Sequence, residues 1–217
     1  MSDVKSARSA KTRDSLTTQR RYDRQAALFD LMEAPLEALV FGGLRRRLWS
    51  EVRESRVLEI GVGTGKNMPY HSEGTRAVAV DISPQMLRRA ASRARRLKRD
   101  VDLLLADAQH LPFRDGTFDA AAATFVFCSV PEPVNGLQEV RRVVRDGGRV
   151  HLLEHVRARN PIVGRLMDLA NPIAVRLSGA NINRDTVSNV EKAGIALDAV
   201  ETRGFGILKL IRGSAGP

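Results

Sequence analysis

The hydrophobic positions of the N-terminal quarter of the chain recur at a helical spacing. Across residues 22–40 apolar side chains follow one another every three or four positions, which predicts a helix. Pro35 is expected to break or kink it, because proline lacks the backbone N–H that an interior position needs. Two glycines at 42–43 interrupt the pattern, and a second short helix is predicted over 44–52. Residues 1–20 are polar and basic without this periodicity, so we expect a disordered arm there.

From residue 56 onward the pattern changes to short, continuous apolar runs. Such runs are typical of strands buried on both faces, as in a parallel sheet. Five strands are predicted, at 56–60, 77–80, 101–105, 118–124 and 149–154. A turn at Asp146-Gly147-Gly148 precedes the fifth strand. Helices are predicted at 66–70, 84–97 (with Ser83 as N-cap), 134–144, 162–177 and 184–193, the last opened by Asn183. The final segment predicts two antiparallel strands turned at Arg203-Gly204.

Strands that alternate with helices predict a doubly wound α/β fold. We expect a mostly parallel seven-stranded sheet that ends in a C-terminal antiparallel hairpin and is preceded by an N-terminal helical lid. The chain then divides into a disordered basic arm at 1–20, the helical lid at 21–55 and the α/β domain at 56–217.

The large net charge of the chain excludes few classes of function. The chain of 217 residues has 35 Lys plus Arg against 25 Asp plus Glu, and so a formal net charge of +10. A basic surface attracts nucleic acid or anionic lipid, but runs of charge are commonly solvated helix faces. Aromatic residues make up only 5%, which disfavours a base-stacking surface, and we expect no nucleic-acid partner.

The single cysteine, Cys128, leaves no thiol pair for a disulfide framework or a zinc site, and no structural metal is expected. No run of about 18 apolar residues that could span a bilayer is present. The first residues also lack the apolar stretch of a secretory signal. These features predict a cytoplasmic protein.

A glycine loop follows the first predicted strand, with the sequence Glu59-Ile60-Gly61-Val62-Gly63-Thr64-Gly65. Its glycines let the backbone turn sharply and approach a ligand closely. The third glycine comes one residue too early for the GxGxxG dinucleotide fingerprint. A Walker loop fails as well, because Ile60 stands at its first glycine and Asn67 at its hydroxyl position.

Two acidic residues stand at the ends of the next two strands. Asp81 lies 20 residues beyond Gly61, where a carboxylate in such a sheet accepts the ribose hydroxyls of a nucleoside. Asp107 ends the third strand with Ala108 beside it, where an adenine edge is expected. Because the carboxyl ends of parallel strands meet at one edge of the sheet, the glycine loop and both acids predict a single nucleoside site.

The order of these motifs resembles a known family. Over roughly residues 22–212 the chain resembles the class I S-adenosylmethionine-dependent methyltransferases, which have a Rossmann-like fold. The segments that carry the resemblance are EIGVGTG, AVAVDISPQML, ADAQHLPF, DGTFDAAAATFVFCSVPEP and LQEVRRVVRDGGRV. Within that superfamily it is similar to ubiquinone/menaquinone C-methyltransferases and bacterial phospholipid N-methyltransferases. FVFCSVPEP, HLLEHV and ANINRDTVSNVEKAGI also resemble membrane-associated thiol methyltransferases of animals. The resemblance implies S-adenosylmethionine as the cofactor and a methyltransferase domain at 56–217.

The resemblance also implies roles for particular residues. The methionine part of the cofactor would be lined by Glu59, Gly61, Gly63 and Gly65. Asp81 would hold the ribose. The adenine would be contacted by Ile82, Met86, Asp107 and Ala108. Phe125 would close over the sulfonium, and Tyr22 would cap the cofactor or the acceptor.

Methyl transfer from a sulfonium is an in-line displacement, which a protein accelerates chiefly by holding nucleophile and methyl group in line. A general base is needed only where the acceptor must lose a proton. His155 and Glu154, at the end of the fifth strand, are the candidates, and Asn135 and His110 are weaker ones.

The acceptor is the open question. Basic residues flank the amphipathic N-terminal helix, as they do in helices that lie on a membrane surface. This pattern favours a phospholipid amine or a quinone-like lipid as the acceptor. It also favours peripheral membrane contact through the N-terminal helices. An equal alternative is that this helix is simply a lid over the cofactor. A small-molecule thiol is the second candidate acceptor. RNA methylation and cofactor binding without catalysis are favoured less.

Overall fold

The computed structural model describes residues 2–216, and the side chains in that range except those of 2–12 and 177–178. The strands are β1 Arg56–Ile60, β2 Arg76–Asp81, β3 Val101–Leu105, β4 Phe118–Thr124, β5 Val144–His155, β6 Ile195–Arg203 and β7 Leu208–Ala215. They form one seven-stranded sheet in the order β3-β2-β1-β4-β5-β7-β6. β1 to β5 are parallel and β7 is antiparallel to both neighbours, so the predicted sheet with its C-terminal hairpin is confirmed.

The helices are α1 Ser2–Leu36, α2 Gly42–Trp49, α3 Pro84–Leu97, α4 Pro133–Val143, α5 Pro161–Ser178 and α6 Thr186–Lys192. The predicted N-cap of α3 is present, because the Ser83 hydroxyl accepts a hydrogen bond from the Met86 N–H. The predicted opening of α6 at Asn183 is wrong, since Asp185 caps this helix by accepting from the Ser188 N–H. The helix expected at 66–70 is only a 3₁₀ turn, Met68–Tyr70, because Pro69 removes a backbone donor.

The core consists of two apolar layers, one on each face of the sheet. Successive side chains of β4 point to opposite faces. Ala121 packs in a cluster with Leu137 of α4 and Val190 of α6, whereas Ala120 packs with Trp49 of α2. The small side chains of β4 allow helices to approach the sheet closely on both faces, and its carboxyl end therefore lies deep in the molecule.

The N-terminal helices follow one another without a break in helical structure, which differs from the pattern expected. α1 already contains residues 2–20, for which the sequence predicts a disordered arm. Pro35 is the penultimate residue of α1, and the chain then passes through a π-helical turn, Glu37–Phe41, directly into α2. π-Helical turns absorb such interruptions of the hydrogen-bond ladder. Gly42 has helical torsions and donates its N–H to Glu37 O, so the expected interruption at the glycine pair is wrong.

β5 is longer than predicted. It begins at Val144, five residues before the expected start at Arg149. Phe118 pairs with Val144, but Ala120 pairs with Arg149, so the residues between form a bulge in which Gly147 has φ +68°. The predicted turn is therefore a bulge inside the strand, because β4 pairs with β5 on both sides of it.

Candidate active site

A cavity of about 370 Å³ opens at the carboxyl edge of the parallel strands. Its floor is the glycine loop and the ends of β2 to β5, and its roof is α1 with the π-helical turn. This size lies within the usual range for sites that bind small molecules or cofactors, roughly 300–1,000 Å³. In the described part of the chain, no three side chains come together that could hold a metal ion.

The glycine loop has the backbone that its sequence predicts. Gly61, Gly63 and Gly65 have φ of +64°, +54° and +84°, a region that side chains disfavour. A Cβ on Gly61 would lie 2.4 Å from a methyl group of Val126, so this position also needs the absence of a side chain. Gly61 and Gly63 line the cavity.

Asp81 joins the glycine loop to the start of α3. Its Oδ2 accepts from the Gly63 N–H at 2.8 Å, and its Oδ1 accepts from the Ser83 N–H at 2.9 Å. Burial is the main cause that raises the pKa of Asp81 to about 6, while the backbone hydrogen bonds oppose the rise. At neutral pH the cavity wall thus carries a fixed carboxylate aimed by backbone donors.

The residues expected around adenine lie together on the same side of the cavity as Asp81. They are Ile82, Met86, Asp107 and Ala108. Asp107 Oδ1 accepts from the Gln109 N–H at 2.9 Å, and its Oδ2 accepts from the Ser15 hydroxyl of α1 at 2.6 Å. The roof helix thus reaches across the cavity to the end of β3.

A cluster of three rings forms the opposite wall. Phe125, directly after β4, has φ +59°, an uncommon conformation for a bulky residue. Its ring lies 4.6 Å from that of His155 and 4.7 Å from that of Phe41. Burial lowers the pKa of His155 to about 4, so the imidazole is neutral at pH 7. Strained backbone of this kind is concentrated at functional sites.

Tyr22 lines the cavity from the roof. Its hydroxyl lies 2.6 Å from the Ser129 hydroxyl, in the loop after β4. Burial raises the pKa of Tyr22 far above its ordinary value, so the phenol stays protonated. Tyr22 can therefore position a ligand but cannot serve as a base at neutral pH.

Three predicted site residues lie outside the cavity wall: Glu59, Gly65 and Glu154. Glu59 is fully buried and accepts hydrogen bonds from Asn67. Glu154 Oε1 accepts from the N–H groups of Val126 and Phe127 at 2.9 and 3.0 Å, and Oε2 has no partner among the described residues. Burial raises the pKa of Glu154 to about 7. These carboxylates hold the loops that form the wall. The weaker base candidates, Asn135 and His110, also lie away from it.

Sequence reasoning missed the acidic face of α1 and its continuation into the π-helical turn. Asp23 accepts from the Ser83 hydroxyl, and Asp30 accepts from Thr64 and Arg93. The next two acids continue the row: Glu33 bonds Lys66, and Glu37 bonds Arg45. The four acids follow one another at spacings of seven, three and four residues, which a helical wheel of the sequence would have shown.

Arg45 was missed as well. In the sequence it belongs to a run of three arginines that is readily interpreted as a solvated face. Arg45 is in fact only 6% exposed and lines the cavity, while its neighbours Arg46 and Arg47 are exposed. The spacing of Arg45 from Trp49 on the buried side of α2 was the available signal.

Comparison with known proteins shows similarity to methyltransferases. Residues 58–152 match the family model described as a methyltransferase domain. The chain is 38% identical over 123 residues to phosphatidylethanolamine N-methyltransferase of Cereibacter sphaeroides, covering 54% of this chain and 61% of that protein. It is 32% identical over 178 residues to demethylmenaquinone methyltransferase of Renibacterium salmoninarum, covering 77% and 72%. It is also 32% identical over 122 residues to a human thiol S-methyltransferase, covering 52% and 50%.

Solved structures share the fold. A SAM-dependent methyltransferase from Thermotoga maritima superposes with a TM-score of 0.70 at 22% identity, covering 91% of this chain and 99% of that one. Geranyl diphosphate C-methyltransferase from Streptomyces coelicolor, solved with S-adenosyl-L-homocysteine, gives 0.67 at 16% identity, covering 81% of each chain.

The α/β sheet, the glycine loop and the carboxylate at the end of β2 define a nucleoside-binding enzyme of the Rossmann-like class. With the relatives above, the chain belongs to the class I S-adenosylmethionine-dependent methyltransferases. The predictions of enzyme class and of S-adenosylmethionine as cofactor are thereby confirmed. In the described residues, no helix combines the length and hydropathy needed to cross a bilayer.

Proposed function

We propose that this methyltransferase acts on an amphipathic lipid, either a phospholipid amine of the phosphatidylethanolamine type or a quinone-like lipid. The observation that carries the proposal is the orientation of the helical roof of the cavity. Four of its acids, at 23, 30, 33 and 37, contact the domain, whereas a row of its large apolar side chains faces solvent. Those exposed by half or more are Leu28, Leu31, Met32, Leu36 and Leu39.

This orientation is the reverse of that of an ordinary surface helix, which buries its apolar stripe against the core. Exposed apolar patches of this kind mark contact sites for membranes or other apolar partners. Met32 and Leu36 are both exposed and part of the cavity wall, so the outer apolar face is continuous with the cavity. The proposal therefore includes peripheral contact of the N-terminal helices with a membrane surface, from which an acceptor lipid enters.

The cavity fits the cofactor. When bound, S-adenosylmethionine supplies a methyl group activated by its sulfonium. Asp81 accepts the ribose hydroxyls, and Asp107 with Ala108 contacts the adenine edge, between Ile82 and Met86. The backbone of Gly61 and Gly63 lies along the methionine part, because no side chain there blocks close approach. We assign these roles from the positions of the residues in the cavity wall.

The ring cluster and Tyr22 act on the acceptor. Phe41 and Phe125 exclude water from the space beside the cofactor. The neutral imidazole of His155 faces the same space and accepts a hydrogen bond from the acceptor N–H or O–H, which orients the nucleophilic atom of the acceptor toward the methyl group. The protonated phenol of Tyr22 donates to the acceptor or to Ser129.

Incubation with methyl-labelled S-adenosylmethionine tests the proposal. The acceptors are phosphatidylethanolamine vesicles, a demethylated quinol, a simple alkyl thiol and total RNA, supplied separately. Label is expected in one of the two lipids. Label in RNA alone would contradict the proposal, as would calorimetric binding of the cofactor without transfer to any acceptor.

A small-molecule thiol is the second candidate acceptor. Its support is the 32% identity to the human thiol S-methyltransferase, over a segment that covers 50% of that protein. Thiols ionise more readily than amines lose a proton from their ammonium form at neutral pH, so such a reaction needs less help from His155. Label found only in the alkyl thiol would establish this function in place of the lipid one.

A further inference from the structure

A buried guanidinium stands in the wall of the cavity. Arg45 is 6% exposed and lines the cavity beside Thr124 and Phe125, 5.4 Å from the centre of the Phe125 ring. Arginine stays charged in proteins. A buried charge is costly unless it is paired or binds a ligand of opposite charge. The partners of each guanidinium nitrogen therefore show what Arg45 can still bind.

Two of the three nitrogens are occupied. Nη1 donates to Thr124 Oγ1 at 2.7 Å and to Asn67 Oδ1 at 3.0 Å. Nε faces both carboxylate oxygens of Glu37 at 3.1 and 3.2 Å. The described residues provide no hydrogen-bond partner for Nη2, which carries two of the five N–H donors. Donor capacity therefore remains on a side chain that lines the cavity.

A buried polar network fixes this guanidinium in place. Asn67 donates to Thr124 Oγ1 and to Glu59 Oε1, both at 2.8 Å. The other oxygen of Glu59 lies 2.9 Å from His71 Nε2. Glu59 thus positions Arg45 through Asn67 without lining the cavity itself. A donor held from behind in this way binds without first losing side-chain freedom.

The position of Arg45 in the sheet indicates which part of the cofactor it meets. Thr124 ends β4, Asp81 ends β2, and β1 with its glycine loop lies between them. Neighbouring strands are about 4.8 Å apart, so the ends of β2 and β4 are roughly 10 Å apart. With the ribose at Asp81, a cofactor that crosses the glycine loop directs its amino-acid end toward Thr124. That end carries a carboxylate.

We propose that Arg45 binds the α-carboxylate of the cofactor through Nη2. The assignment rests on the proposed placement of the ribose at Asp81. It has a structural consequence, because Glu37 belongs to the π-helical turn that follows α1. One guanidinium then holds Glu37 through Nε and the cofactor through Nη2, which links the position of the helical roof to the amino-acid part of the cofactor.

Decarboxylated S-adenosylmethionine is the direct probe, since it lacks only the carboxylate. Isothermal titration should show that the wild type prefers S-adenosylmethionine over this analogue by about tenfold to a hundredfold, as expected for a charge-assisted hydrogen bond. Arg45→Ala should lose that preference, binding S-adenosylmethionine more weakly by the same factor and the analogue unchanged. Arg46→Ala, at the exposed neighbouring position, is the matched control and should keep it.

Other outcomes separate this proposal from the proposed function. If the wild type binds both ligands equally, or if Arg45→Ala weakens both by the same factor, Arg45 is structural and the assignment is overturned. If the wild type binds neither ligand, the cofactor placement itself fails and the assignment with it. Arg45→Lys keeps the charge and is the variant to use if Arg45→Ala does not fold. It should retain part of the preference for S-adenosylmethionine over the decarboxylated analogue. The comparison of the two ligands on the wild type requires no substitution.

Discussion

The exposed apolar side chains of the helical roof allow the strength of membrane binding to be predicted quantitatively. Leu31 and Leu39 are 73% and 82% exposed, and neither lines the cavity. Replacing both by glutamine keeps helix propensity and removes little packing. Burying a leucine side chain in an apolar phase contributes about 1.5–3 kcal/mol. Scaled by the two exposed fractions, the pair is worth about 2–5 kcal/mol, so partition into vesicles should fall at least about thirtyfold.

Vesicle flotation measures this loss, with phosphatidylethanolamine vesicles prepared with and without anionic lipid. The matched control replaces two exposed leucines on other elements, Leu97 and Leu105, by glutamine. The control should float like the wild type. The reasoning is refuted if the Leu31/Leu39 variant floats as well as the wild type. It is also refuted if calorimetry shows that the Leu31/Leu39 variant loses cofactor affinity by the same factor as it loses vesicle binding, since the two leucines would then stabilise the helical roof rather than bind lipid.

Three further predictions concern the site itself. Gly61→Ala should lower the free energy of unfolding by about 2–5 kcal/mol in thermal denaturation, because a Cβ there is strained by the positive φ and meets Val126 at 2.4 Å. Gly63→Ala meets the same positive-φ strain, but its Cβ would lie in open space, so it should lower the free energy of unfolding by only about 1–2 kcal/mol. Equal losses for the two variants would contradict the predicted clash with Val126. The pKa of Asp81 is about 6, so calorimetric affinity for S-adenosylhomocysteine should fall as the pH drops below 6, and Asp81→Asn should abolish that pH dependence. A pH-independent wild type would argue against ribose binding by this carboxylate. The pKa of Glu154 is raised from 4.5 to about 7, so its ionisation destabilises the fold as the pH rises between these values. The stability of Glu154→Gln relative to wild type should therefore increase by up to about 3 kcal/mol from pH 4 to pH 8 in denaturant titrations, and a constant difference would show that this carboxyl does not titrate in the folded protein.

Strand positions were predictable because each strand of the parallel sheet is a local apolar run. β1, β3 and β4 begin and end at the predicted residues. The same local logic located the glycine loop and the two acids that follow strands, since parallel strands bring their carboxyl ends to one edge. Asp81, two of the three loop glycines (Gly61 and Gly63) and the adenine-side residues consequently lie around one cavity.

Elements whose boundaries depend on packing were predicted less well. Pro35 and Gly42 are poor helix residues, yet helical structure continues through both. Contacts of the acidic face with Thr64 and Lys66 stabilise this arrangement. Thr64 and Lys66 lie about thirty residues further along the sequence than the acids that they contact. The bulge in β5 likewise depends on pairing with β4.

The sequence by itself determined the fold class and the residues along one edge of the sheet, because those signals are contained in short runs with a fixed spacing, and its resemblance to a known family implied the cofactor. Only the tertiary structure showed which side of the roof helix faces the domain, since acids and leucines are equally compatible with solvent or with a partner until their contacts are known. The same is true of Arg45. Its charge is visible in the sequence, but its burial against Thr124 and Asn67, and so its capacity to bind an anion, arises from contacts between residues far apart in the chain.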